Sequence, residues 1–257
     1  MRRIIVQLYE IQDPREAERL IGLGVDRIGS VILSPEAWKI PTVRDVVRLV
    51  HGSGAKSSLI PLLVREDDIL RALDYYQPDF VHFCESIPLD PGKSVQREAV
   101  CAEAIRVQKR VKKEFPLLGI TRSIPIPEPG LTDSAPVREA ILEIARTLEP
   151  YTDGFMTDTL RGYGGEGAVQ PVAGYVGITG EVCDWDLAAA LVDASRIPVI
   201  LAGGISPENV RDAVGRVQPA GIDSCTQTNV RDNRGRPIRF RKDFDRVGRL
   251  LEEVHKA

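Results

Sequence analysis

Aromatic residues make up only 5% of the chain, histidine occurs three times, and no two of the four cysteines form a CxxC pair. Each scarcity excludes something. Cys84, Cys101, Cys183 and Cys225 are scattered, which argues against a disulfide scaffold and for reduced thiols in a cytoplasm. His51 and His255 fall in segments of helical period, so His82 lacks partners and no metal is expected. No run approaches the ~18 apolar residues of a membrane span. The opening "MRRIIVQLYE" is too short an apolar stretch for a signal peptide. A net charge of −3 over 257 residues gives no reason to expect nucleic acid or an anionic membrane as a partner. Lysine is missing where one reaction class needs it. Only Lys56 falls on a strand-like run, at its N-terminal end, which disfavours a Schiff-base aldolase.

What is present alternates. Short β-branched runs occur at 4–9, 27–33, 56–63, 79–85, 117–126, 154–159, 198–204 and 220–226. Between them lie segments with apolar residues three and four apart, each able to lay one greasy stripe on a sheet. Asp13, Thr42, Asp184 and Ser206 stand where N-caps belong. Eight strands alternating with eight helices imply a parallel sheet with right-handed crossovers, and eight is the number at which such a sheet closes. The expected fold is α/β, a single (β/α)8 TIM barrel over residues 1–257, with chemistry at the C-terminal ends of the strands.

Several strand ends carry candidates. "ILAGGISPENV" delivers Gly203 and Gly204 to a helix start at Ser206, a pattern suited to phosphate through free N–H groups. "DSCTQTN" ends the neighbouring strand and completes the cup with Cys225 and Thr226. The basic stretch "NVRDNRGRPIRFRK" reads as a solvated loop or a steering patch on the phosphate side. Asp158 ends the sixth strand before a glycine-rich loop whose closure would desolvate it, raising its pKa into the range of a general acid. His82 and Cys84 alternate onto one face of "VHFCES", and Tyr9, Glu10 and Arg122 also end strands. "TDTLRGYGGEGAVQPVAGYVGITGEVCDWD" lacks a Walker lysine, so it is read as an extended lid over about 160–182. Mobility is expected over 161–180.

"TDT…GITGEVCDWDLAAAL", "VILAGGISPENVRDAVGRVQPAGIDSCTQTN" and "RKDFDRVGRLL" together resemble the phosphoribosylanthranilate isomerase family of tryptophan biosynthesis. The resemblance implies a cytoplasmic barrel, monomer or homodimer, binding a phosphorylated small molecule. Its implied activity is an Amadori-type aldose–ketose rearrangement by general acid–base catalysis, which calls for no cofactor. It assigns Asp158 as the acid and Gly203, Gly204, Cys225 and Thr226 to phosphate. It also places substrate contacts near Trp38 and His82, and Arg122, a polar strand end, is read as a further substrate contact. The family's strand-one Cys-Gly-Ile-Thr is Tyr9-Glu10-Ile11-Gln12 here, so Glu10, Tyr9 or Cys84 becomes the candidate base. The alternatives are a divergent barrel acting on another phosphorylated metabolite, or a catalytically silent barrel that binds a phosphorylated ligand.

Overall fold

The computed structural model describes residues 3–131, 134–163 and 170–257. Eight parallel strands close into a barrel in sequence order: β1 (Ile5–Leu8), β2 (Arg27–Ile32), β3 (Lys56–Pro61), β4 (Phe80–Phe83), β5 (Gly119–Pro127), β6 (Gly154–Leu160), β7 (Val199–Leu201) and β8 (Gly221–Asp223). The ring is sealed by Ile5, Val6 and Gln7 of β1 pairing with Gly221, Ile222 and Asp223 of β8. Around it lie α1 (Pro14–Leu23), α2 (Pro41–His51), α3 (Glu66–Tyr76), α4 (Ser94–Glu114), α5 (Ala135–Leu148), α6 (Trp185–Ala194), α7 (Val210–Val217) and α8 (Phe244–His255). Among the described residues, no helix is long and apolar enough to cross a membrane.

Local chemistry explains most element starts. Asp13 accepts from the Arg15 N–H, and Asp184 accepts from the Asp186 and Leu187 N–H groups. Thr42 does not cap: Pro41, with its fixed φ and missing N–H, already opens α2. Ser206 holds one turn before regular helix begins at Val210, its hydroxyl accepting from the Glu208 N–H.

Strand alternation sorts side chains into two layers. Val6, Leu8, Ile28, Ile124, Phe155, Leu201 and Ile222 face the helices in one core, and Leu59, Val81 and Phe83 do so in another. The barrel interior is more polar. Tyr9 shares a 2.6 Å hydrogen bond with Ser58, His82 bridges Tyr9 and Ser123, and Gln7 donates to Asp223. Gly29 on β2 makes room for the Tyr9 ring, which a Cβ there would strike. Above this polar layer, Val31, Ile60, Leu62, Cys84, Met156 and Ala202 form an apolar collar at the barrel's mouth.

The stretch expected as a basic loop is a structured insertion. After β8, β9 (Asn229–Arg231) and β10 (Pro237–Lys242) pair antiparallel, so residues 240–242 belong to a strand and not to the last helix. Lys242 therefore also lies on a strand, contrary to the expectation that only Lys56 does. Charged residues on both of its faces mask the strand period of this hairpin in the sequence.

Candidate active site

Two connected spaces open at the C-terminal mouth. A cleft is bounded by Ile178, Thr179 and Gly180 on one side and by Ala202–Ile205 and Cys225–Gln227 on the other. An apolar cavity beside it is lined by Val31, Ile60, Leu62, Cys84 and Met156 of the collar together with Val172, Tyr175 and Val176. Asp158 and Asp223 border both.

Asp158 and Asp223 arrive on β6 and β8, two strands apart, both pointing inward because each shares parity with an interior residue of its strand, Met156 and Gly221. Burial raises the Asp158 pKa well above the usual carboxylate range, and the Asp223 charge raises it further. Burial likewise pushes Asp223 up to about 7, against the opposing hydrogen bond from Gln7 and the charge of Lys242. Burial thus holds a proton on Asp158 where a solvated aspartate would have lost it, beside Asp223 at about 7. Asp223 opens the stretch "DSCTQTN" at the end of its strand, and nothing in a single sequence signals that it meets Asp158.

The three expected bases fare differently. Tyr9 is buried with its hydroxyl engaged by Ser58 and His82, and burial lifts its pKa well above normal, so it stays a neutral phenol. Cys84 does line the cavity, but burial, then the Glu85 and Asp158 charges, raise its pKa and keep it a thiol. Glu10 has a φ of 70°, a left-handed twist that swings its carboxylate toward the hairpin. There Arg239 Nε donates to Glu10 Oε1 at 2.6 Å. None of the three stands as a free base over Asp158.

The remaining expected contacts are not at the mouth. His82 is fully buried beneath it, its pKa lowered to about 3 by burial and then by Arg122, so the imidazole is neutral. Arg122 has the parity of Ile120 and Ile124 and faces the helices, where it pairs with Glu85. Trp38 sits on the outer layer, edge-on to Tyr75 with the Arg71 guanidinium over its ring. Lys242 is buried and donates to the Cys225 carbonyl at 2.8 Å and to Asn229 Oδ1 at 2.7 Å, tying the β8 tip to the hairpin.

The cleft is a backbone site. Gly203 and Gly204 have φ of 99° and 61°, and the segment at Glu181–Cys183 packs so closely that a Cβ on Gly204 would lie 2.6 Å from the Val182 nitrogen. Glycine is thus required for packing at both positions. Among the described residues, the N–H groups of Gly203, Gly204, Cys225 and Thr226 meet no protein acceptor, leaving donors for an anion.

Over the mouth lies the expected lid, of which residues 164–169 fall outside the described residues. Its later part is pinned down. Val176 N–H donates to the Cys84 carbonyl at 2.9 Å, Ser86 N–H donates to the Gly174 carbonyl, and Gln227 donates to the Gly180 carbonyl. Gly177, at φ 105°, lies over the Asp158 carboxylate so tightly that any side chain would collide with it.

The chain is similar to known proteins. The family model for N-(5'-phosphoribosyl)anthranilate isomerase matches residues 150–226, the stretch from β6 to the β8 tip. An N-(5'-phosphoribosyl)anthranilate isomerase of Methanosarcina mazei is 26% identical over 98% of this chain and 95% of its own length. The chain is a relative of the phosphoribosylanthranilate isomerases. The fold agrees: the isomerase structure from Pyrococcus furiosus superposes with a TM-score of 0.68 at 16% identity, covering 99% of this chain and 100% of that one. Another isomerase structure, at TM-score 0.64 and 16% identity over 99% and 100% of the two chains, holds reduced 1-(o-carboxyphenylamino)-1-deoxyribulose 5-phosphate. The stretch matched by the isomerase family model contains Asp158, Gly203, Gly204 and Asp223 but not Tyr9-Glu10.

Proposed function

We propose that this protein catalyses an Amadori-type rearrangement of a phosphoribosylated amine, converting the aminoaldose to the aminoketose. The observation that carries this reading is the pair Asp158 and Asp223, set between an N–H-lined cleft and an apolar cavity. The phosphate sits in the cleft against Gly203, Gly204, Cys225 and Thr226, and the amine substituent lies in the cavity. Asp158, held protonated, gives its proton to the furanose ring oxygen as the C1–O bond breaks, leaving a protonated imine. Asp223, ionised, removes the C2 proton, and the electron pair moves through C2–C1 to nitrogen. The resulting enol takes a proton at C1 and releases its hydroxyl proton, so composition is unchanged. General acid and general base steps of this kind contribute roughly 10²–10⁴-fold each.

The segment at 170–182 acts as the lid on this reaction, with Gly177 closing over Asp158 and excluding water. All four cysteines are unpaired, which suits a reducing cytoplasm.

The test uses arylamine adducts of ribose 5-phosphate, the anthranilate adduct among them. Purified protein is expected to convert at least one to its ketose faster than the Asp158→Ala variant does. Conversion of no adduct above that control overturns the reading.

A further inference from the structure

The lid meets the phosphate cleft through a single side chain. Val176 N–H is held on the Cys84 carbonyl, and the Glu181 carbonyl accepts from Thr159 Oγ1 at 2.8 Å, so both flanks of residues 177–180 are anchored. Between those anchors, among the described residues, one hydrogen bond ties the segment to the barrel: Gln227 Nε2 donates to the Gly180 carbonyl at 2.8 Å. Gly177, Ile178 and Gly180 have φ of 105°, 61° and 72°. A β-branched side chain resists the left-handed region, so Ile178 holds strain that the closed position imposes. The segment is poised to lift, and Gln227 holds it down.

Gln227 is itself aimed. It stands in the tight turn Thr226–Thr228 after β8, where Arg246 Nε of α8 donates to its carbonyl at 2.7 Å and fixes the backbone. Arg231 Nη2, at the end of β9, donates to Gln227 Oε1 at 2.7 Å. A guanidinium only donates, so it takes the amide oxygen and turns the Nε2 hydrogens toward Gly180. Arg231 Nη1 is fastened to the Gly235 carbonyl across the hairpin, which holds the guanidinium in place. The inserted hairpin thereby reaches the lid through Gln227, and the lid reaches Asp158 through Gly177.

Entry and closure both pass through this contact. Open space in the cleft is about 30 Å³, room for about two waters, and a phosphate group is larger. Phosphate enters when the edge at Gly180 lifts, and the edge has to return for Gly177 to keep water from Asp158. We propose that Gln227 is a positioning residue for the reaction: oriented by Arg231, it latches Gly180 down once the phosphate is seated and so keeps Gly177 over Asp158. The role rests on the isomerase reading of the mouth and deepens it.

The experiment compares the full chain with Gln227→Met, which keeps the length and loses the amide, and with Arg231→Met. Hydrogen exchange over 176–182 is followed with and without inorganic phosphate. Phosphate is expected to slow exchange there in wild type; in Gln227→Met, exchange should be about tenfold faster and no longer respond to phosphate. Exchange unchanged by Gln227→Met, or unmoved by phosphate in wild type, overturns the latch. Arg231→Met should act in the same direction and add nothing to Gln227→Met; additive effects overturn the orienting step. On any adduct that wild type converts, Gln227→Met should lower kcat about tenfold and leave KM within about threefold, because the N–H donors of the cleft are untouched. A change confined to KM overturns the positioning role. If wild type converts no adduct, the isomerase reading falls while the exchange measurements still decide the latch. Should Gln227→Met not fold by circular dichroism, Arg231→Met, at an exposed position, decides by the same measurements.

Discussion

Arg239, on the hairpin inserted after the last barrel strand, donates to Glu10 at the tip of the first, joining residues 229 positions apart. Glu10 is 1% exposed, so its carboxylate takes its hydrogen bonds from this partner and from weaker contacts with Asn229 and the Phe240 N–H. Only Glu10 is buried, Arg239 being 40% exposed, so removing Arg239 strands the buried carboxylate. Arg239→Ala is expected to lower stability by about 3 kcal/mol in urea unfolding. The double variant Glu10→Gln/Arg239→Ala should lose clearly less than the sum of the two single losses. Additive losses would show that the pair contributes no coupling.

Asp158→Asn keeps the shape and removes the transferable proton. Its kcat on any accepted adduct is expected to fall by about 10²–10⁴-fold with phosphate affinity within a factor of a few. Parallel loss of both would recast Asp158 as a residue that shapes the cleft.

Asp223 sets a pH dependence whose sign can be worked out. Its native pKa, about 7, exceeds the ordinary 3.8, so between those values the folded protein keeps a proton the unfolded chain has released. Its contribution to stability therefore declines as pH rises from about 4 through about 7 and is level above. Asp223→Asn should gain on the order of 2 kcal/mol relative to wild type at pH 8 and little at pH 4. Catalysis runs the other way: the ionised form is the base, so kcat/KM should climb through about pH 7, a limb missing from the Asn variant. A pH profile unchanged by the substitution excludes Asp223 as the base.

Gly204 combines a φ of 61° with the Val182 nitrogen 2.6 Å from where a Cβ would sit. Gly204→Ala is expected to cost roughly 2–4 kcal/mol and to weaken inorganic phosphate binding at least tenfold, because the segment over the cleft must lift away. Gly215→Ala, with open space at the Cβ, is the control and should change neither.

The barrel was legible because every strand carries its own apolar run, bounded by turn residues and separated by helical period. The phosphate cleft was legible for a similar reason: glycines between a strand and a helix cap are a local pattern. The acid–base partnership was not, since Asp158 and Asp223 meet only through the closed ring, 65 residues apart in sequence. Arg122 was misplaced by one step of alternation, and that step decides between mouth and helix layer. The hairpin after β8 hid behind its charge, whose purpose becomes visible only when Glu10 and Cys225 are beside it.

The β1–β8 seam has a consequence for biogenesis. β1 leaves the ribosome early, yet its outer edge finds Gly221–Asp223 only after some 200 further residues are made, on the order of 10–40 s at ordinary elongation rates. Throughout that interval the outer edge of β1 has no strand to pair with, and Glu10 awaits a partner, Arg239, that is synthesised even later. A ribosome stalled before residue 221 thus displays an incomplete ring with an adhesive margin, the part of the nascent chain that most needs a chaperone.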